Sequence, residues 1–241
     1  MTAETPDSAR FGRFAVSPEE RRRRIRALFE AVAPRYDLMN DLMSFGIHRL
    51  WKRTLARRCA GQGGVVVDLA GGTGDLARLL CAEGRTVIVC DPSWGMMAVG
   101  RRRGVPAAWS AGEAERMPFA SASVDLLTIS FGLRNATEIG AALAEIHRVL
   151  KPGGRFVCLE FSRPAWWLAP FYDLYSRLVI PRLGALVARN PGAYDYLVES
   201  IRRFPDQPTL AATLSAAGFE SVCWENLSFG IACIHYARRS P

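Results

Sequence analysis

From residue 65 onward, short apolar runs of strand length alternate with amphipathic stretches. Val65–Leu69, Thr86–Cys90, Ala107–Ser110, Val124–Ser130 and Arg155–Glu160 each read as a strand. Asp75 to Glu83, Ser93 to Arg103 and Glu138 to Leu150 carry apolar residues at helical spacing between them. Lys151-Pro152-Gly153-Gly154 stops the last of these helices, because Pro lacks the N–H a helix needs and Gly favours the turn that ends one. The strands are continuously apolar, so both faces of their sheet are covered. Strand–helix alternation then predicts an α/β fold with a doubly wound, mostly parallel sheet. A helix from about Gln207 to Ala217 precedes two more strands, near Glu220–Asn226 and Ile231–Ala237. The short turn around Ser228–Gly230 joins these two as an antiparallel hairpin, bringing the predicted sheet to seven strands.

Upstream the pattern is helical. Residues 1–16 are polar and read as a mobile lead-in. Ser17-Pro18-Glu19-Glu20 supplies an N-cap, a Pro at the first helical position and a capping-box Glu. The helix that follows puts Ile25, Leu28, Phe29 and Val32 on one face, and its run Arg21–Arg24 reads mainly as a solvated face. A second helix, about His48 to Ala60, carries Leu50, Trp51 and Leu55 on one side. The predicted organisation is one domain over 17–241, with a helical cover over 17–62 and an aromatic insertion over 164–200. That insertion includes Trp166, Trp167, Phe171, Tyr172, Tyr175, Leu178, Val179 and Ile180.

Composition narrows the class. At 241 residues with 49% hydrophobic and 22% charged, the chain buries a real core and is neither disordered nor collagen-like. The net charge of +8 invites a nucleic-acid reading, but only Lys52 and Lys151 of the 31 basic residues are lysines. So lopsided an arginine usage makes the charge a weak clue, pointing at most to anionic surfaces and ligands. The N-terminus lacks the apolar core of a secretory signal, and no uncharged apolar run reaches spanning length. The six cysteines form no CxxC and no ligand-like spacing with the histidines. Cys81, Cys90, Cys158 and Cys233 sit among apolar residues as buried thiols do. The expectation is a reduced cytoplasmic protein with no structural metal.

Chemistry concentrates at the strand ends. The first strand ends in Asp68, followed by Ala70-Gly71-Gly72-Thr73-Gly74, whose glycines let backbone approach a ligand closely. Asp91 ends the second strand, where a carboxylate accepts both hydroxyls of a ribose. Gly112-Glu113-Ala114-Glu115 follows the third, where an adenine edge would lie. The loop lacks both GxGxxG spacing and a P-loop lysine. Asp68 beside it suits an ammonium or sulfonium group and not a diphosphate. Together these favour S-adenosylmethionine over a dinucleotide.

Two longer segments are more specific. Tyr36-Asp37-Leu38-Met39-Asn40-Asp41-Leu42-Met43-Ser44-Phe45-Gly46-Ile47-His48-Arg49-Leu50-Trp51 and Arg148 to Ser162 resemble the two signatures of the ubiquinone/menaquinone C-methyltransferase family, class I S-adenosylmethionine-dependent enzymes. Ser130-Phe131-Gly132-Leu133-Arg134-Asn135, Tyr194 to Ile201, Phe204 to Gln207 and Ala217 to Val222 extend the likeness from Phe11 onward over nearly the whole chain. Asp68, Gly72, Thr73 and Gly74 are the cofactor-binding candidates of the loop, and the resemblance implies that Thr73 and Asp91 contact the methionine and ribose parts. It puts Glu113 and Ala114 at the adenine and Ser130 near the methionine end. Ala70 stands where the superfamily's first loop Gly is commonest, and Glu113 where Asn or Asp is usual.

Methyl transfer to a quinol carbon requires that the neighbouring phenol, of ordinary pKa about 10, lose its proton. The resemblance points to Arg134 as the group assisting this through a water. An always-charged guanidinium is better described as a cation holding the phenolate. The alternative is an arginine paired structurally at the sheet edge. His48 has the pKa of a general base and is the second candidate, against a packing role. The aromatic insertion reads either as packing over the sheet or as a lid for a prenylated ring at a membrane, with Arg177, Arg182 and Arg189 meeting lipid phosphates. The partners implied are a prenylated quinol, a membrane surface, and a homodimeric or quinone-synthesis assembly. A different small phenolic or lipid acceptor is the runner-up. Nucleic acid is excluded as a partner, because no Asn/Asp-Pro-Pro-Tyr follows the fourth strand and no Pro-Cys nucleophile pair is present.

Overall fold

Ser17 caps the first long helix, its Oγ accepting the N–H of Glu20 at 3.2 Å, with Pro18 at the first helical position. The computed structural model describes residues 9–11, 14–82, 84–176, 178 and 191–241. Of the predicted lead-in, β1 (Ala9–Phe11) and β2 (Phe14–Val16) pair as a small antiparallel ladder, and residues 1–8 lie outside the described residues. The helices α1 (Pro18–Val32), α2 (Tyr36–Ser44) and α3 (Ile47–Arg58) follow. The sequence pattern does not separate α2, whose end is set by Phe45 and Gly46, both at positive φ.

The predicted alternation then runs through β3 (Gly64–Leu69), α4 (Asp75–Leu80), β4 (Arg85–Asp91), α5 (Trp94–Arg102), β5 (Ala108–Ala111) and β6 (Val124–Ser130). It continues through α6 (Ile139–Val149) and β7 (Leu150–Phe161). α6 ends at Val149, just before Lys151-Pro152-Gly153-Gly154, but those four residues lie within β7, whose register with β6 shifts between Val124 and Leu126. Residues 169–176 form α7, followed later by α8 (Pro191–Arg203), α9 (Gln207–Ala216), β8 (Phe219–Leu227) and β9 (Ala232–Arg239). The insertion residues Arg177, Val179, Ile180, Arg182 and Arg189 lie outside the described residues.

The main sheet has seven strands in the order β5-β4-β3-β6-β7-β9-β8. Every pairing from β5 to β7 is parallel, and β9 is antiparallel to both β7 and β8. One face carries Val67, Leu127, Ile129 and Phe156 against Leu143 and Ile146 of α6 and Leu210 and Leu214 of α9. The other packs Val66, Val89, Leu126 and Val157 against Trp51 and Leu55 of α3 and Leu76 and Leu80 of α4. Two-sided burial is what the continuous apolar strands require.

Two expectations change. Cys59 joins Cys90, Cys158 and Cys233 as a buried thiol, while Cys81 is only half-buried. Arg21 leaves the solvated face: its guanidinium is buried and donates to the carbonyls of Asn135 at 2.9 Å and Ala136 at 2.7 Å. Those carbonyls sit in a loop without ladder partners, so an arginine fork stabilises them where no strand does. Among the described residues no helix is long and apolar enough to cross a membrane.

Candidate active site

Strand order reverses between β3 and β6, which opens a crevice beyond their carboxyl ends. Asp68 forms its floor. It is fully buried; Oδ1 accepts the Thr128 hydroxyl at 3.0 Å, and Oδ2 has no hydrogen-bond partner. Burial pushes its carboxyl up to about 7, against the opposing pull of Thr128 and Lys52. Over it folds the glycine loop. A Cβ on Gly71 would lie 2.8 Å from Asp68 Oδ2 and 2.9 Å from its carbonyl, so only glycine fits there. Ala70 takes the left-handed conformation, φ +50°, that a glycine would adopt without cost.

Asp91 closes the second side. Its Oδ2 accepts the Gly72 N–H at 2.9 Å and its Oδ1 accepts the Ser93 N–H at 2.8 Å. Burial nevertheless raises its carboxyl to about 6. Each oxygen keeps a further lone pair for a hydroxyl donor. Ser130 ends β6, and its buried Oγ has no partner. The resulting cleft has about 1030 Å³ of empty space. Asp68, Gly72, Thr73, Asp91, Glu113, Ala114 and Ser130 all line it. Gly74 does not: it stands at φ +77° before α4, packed against Trp109 and Val105.

The cover is fastened to this cleft by three carboxylates, two of which sequence reasoning missed. Glu30 of α1 accepts the Ser93 hydroxyl at 2.9 Å and the Gly95 N–H at 3.0 Å. Asp37 of α2 accepts the Thr73 hydroxyl at 3.1 Å and also the Arg103 guanidinium. Glu113, expected at an adenine edge, has its carboxylate engaged by Arg26 at 2.8 Å and Arg22 at 3.9 Å.

A second cavity, with about 1160 Å³ of empty space, lies beneath α2, α3 and α7. Met43, Phe45, Trp51, Phe161 and Tyr175 make its wall largely apolar. Arg134 and His48 both line it, although the sequence gives no direct sign that residues 86 positions apart share a cavity. Arg134 is buried. Its Nη1 donates to Glu160 at 3.0 Å and to the Phe131 carbonyl, while Nε has no partner, and the guanidinium lies 5.4 Å over the Phe161 ring. Arg134 is thus ion-paired, as the structural alternative expects, and it also lines the apolar cavity. The ring of His48 is buried with Nε2 2.9 Å from Asp41 Oδ1. Hydrogen bonds from Arg49 hold the Asp41 carboxyl at about 2, and burial lowers the His48 pKa against the pull of Asp41. Tyr36 and Phe131 line both cavities, so the polar cleft and the apolar chamber meet there.

Comparison with known proteins bears on the fold and the family. The ubiE/COQ5 methyltransferase family matches residues 16–239. The ubiquinone/menaquinone biosynthesis C-methyltransferase UbiE of Rubrivivax gelatinosus is 65% identical over 242 residues, covering 100% of this chain and 96% of that protein. Its namesake from Caulobacter vibrioides is 48% identical, covering 95% and 96%. Among solved structures, a SAM-dependent methyltransferase from Thermotoga maritima superposes with a TM-score of 0.67 at 20% identity, covering 90% of this chain and 100% of that one. Phosphoethanolamine N-methyltransferase 2 of Haemonchus contortus, in complex with S-adenosyl-L-methionine, gives 0.59 at 14% identity, covering 79% and 52%. These structures share the fold. With a matched family model and relatives this similar over the full length, the chain belongs to the ubiE/COQ5 methyltransferase family.

Proposed function

We propose that the chain transfers the methyl group of S-adenosylmethionine to a ring carbon of a prenylated quinol. The observation that carries this is the meeting of a polar cleft with an apolar chamber at Tyr36 and Phe131. The cleft fits the donor because Asp68 Oδ2 and Ser130 Oγ are buried without partners, a carboxylate for an ammonium and a hydroxyl for its carboxylate end. Asp91 accepts from the ribose hydroxyls, Gly72 and Thr73 border the methionine portion, and Gly74 fixes the turn that aims them. Because the Glu113 side chain is engaged by Arg26, it is the backbone of Glu113 and Ala114 that meets the adenine. When bound, this cofactor supplies an electrophilic methyl group on a sulfonium.

The chain's own residues prepare the acceptor. With His48 Nε2 held by Asp41, Nδ1 is the nitrogen left to take the proton of the ring hydroxyl. Arg134, at the chamber wall with an unpartnered Nε–H, supplies the cation that holds the phenolate in surroundings where water competes little. The deciding experiment offers a prenylated benzoquinol and a demethylnaphthoquinol with labelled S-adenosylmethionine and identifies the product. Ring C-methylation of either bears the proposal out. Label transferred only to a different phenol or lipid would move the assignment to the runner-up.

The acceptor's tail argues for a cytoplasmic protein resting on the inner membrane face. Phe45 and Phe171 line the apolar chamber yet are 76% and 69% exposed, and Trp166 nearby in the chain is 86% exposed. Phe45 at φ +49° and Phe229 at φ +57° hold exposed rings on strained backbone. Aromatic rings of this kind suit a headgroup interface. In liposome flotation with anionic vesicles, wild type is expected to float and a Trp166→Ser/Trp167→Ser double variant to lose most of that binding. Indistinguishable flotation would remove the membrane role.

A further inference from the structure

We propose that Phe131 and Tyr36 form an aromatic window that distinguishes the charged methyl donor from its neutral demethylated product. The inference rests on the methyl-transfer reading above and adds to it a residue-level basis for donor selectivity.

A methyl group passing from the cleft to the chamber crosses where the two adjoin, and Tyr36 and Phe131 are the residues lining both. The sulfonium therefore sits beside these rings. Each described carboxylate lining the cleft near the donor already has an occupant in this reading. Asp68 faces the ammonium, Asp91 the ribose, and Glu113 is engaged by Arg26 and Arg22. Glu115 is taken up by the N–H groups of Thr137 and Glu138. The faces of the two rings at the junction stabilise a cation through the negative charge density of their π-systems.

The backbone supports a purpose for the ring at position 131. Phe131 follows β6 directly and adopts φ +57°, a conformation glycine takes freely and a phenylalanine takes at a cost. Both of its peptide groups are pinned: its N–H donates to the Leu159 carbonyl at 2.8 Å and its carbonyl accepts from Arg134. The ring is braced by Phe161, centroids 4.6 Å apart, and by Trp51 at 6.0 Å. Tyr36 is braced separately, edge-on to Phe29 at 6.1 Å. A strained residue held from several sides at the junction of two cavities is the pattern expected of a functional constraint.

The product of transfer has a neutral sulfur and gains nothing from the rings, so the window weakens product binding relative to donor binding. The test measures dissociation constants for S-adenosylmethionine and S-adenosylhomocysteine by calorimetry on the full chain, for wild type and for Tyr36→Leu, Tyr36→Phe and Phe131→Leu. Each leucine variant is expected to bind the sulfonium about five-fold more weakly, the size of a partly desolvated cation–π contact, with homocysteine-form affinity within about two-fold of wild type. Tyr36→Phe keeps its ring and is expected to match wild type. Affinity for the neutral form reports that the cleft is intact. If Phe131→Leu lacks it through misfolding, Tyr36→Leu decides. Equal weakening of both ligands, or an unchanged ratio, overturns the window while leaving the methyltransferase reading in place. Failure of wild type to bind either ligand overturns both.

Discussion

Arg134→Ala is expected to lower methyl-transfer turnover by about 10²–10³-fold, the cost of removing one preorganised donor from a developing oxyanion, with donor affinity changed by less than about three-fold. The asymmetry follows from its position, because Arg134 lines the apolar chamber and not the donor cleft. The substitution also leaves Glu160, 1% exposed, without its ion partner. A buried charge stripped of its partner costs about 3–5 kcal/mol of stability. Arg134→Ala/Glu160→Gln separates the two effects. Its melting temperature should recover most of the way to wild type while turnover stays low. Recovery of turnover in the double variant, or equal loss of turnover and donor affinity in the single one, would make Arg134 a structural residue.

Asp68→Asn gives the second large effect. The Asp68 carboxyl titrates at about 7 in the folded chain and at about 4 when unfolded. Between those values the folded state keeps a proton that the unfolded state has lost. Ligand-free stability therefore falls as pH rises from about 4 to about 7, by on the order of 4 kcal/mol from this group. Asp91, raised in the same direction to about 6, adds to the slope. An ammonium ligand needs Asp68 ionised, so donor affinity should climb with pH through about 7 and then level off. The asparagine keeps the contact to Thr128 but carries no charge. The expectation is a donor affinity about 100-fold lower at pH 8, from loss of a buried charge pair, together with a flatter thermal-stability profile. Calorimetry and thermal melts across pH 5–8 measure both. An Asp68→Asn variant that binds the donor as wild type does at pH 8 would refute the role.

What the sequence made legible was local. The glycine loop, Asp68 and Asp91 are read from strand ends because backbone geometry there dictates residue type within a few positions. The hairpin of β8 and β9 follows in the same way from one short turn. Contacts between distant segments had no such signal. Asp37 meets Thr73 across 36 positions and Glu30 meets Ser93 across 63, and neither carboxylate differs in sequence from a solvated one. Arg21 looked like part of a charged face because helical spacing says nothing about unpaired carbonyls 114 residues away. That Arg134 and His48 line one chamber depends on the packing of α2 and α3 over the strand ends, which no periodicity encodes.

The placement of β9 bears on how the protein is made. It lies between β7 and β8, yet the ribosome produces it after every other strand described. Until Ala232–Arg239 emerge, β7 presents an open, apolar edge along residues 155–161, and β8 has no neighbour to pair with. A chain without this strand leaves that edge unpaired, the kind of edge that seeds aggregation. A truncation that removes this strand would therefore cost solubility, whatever its distance from the apolar chamber.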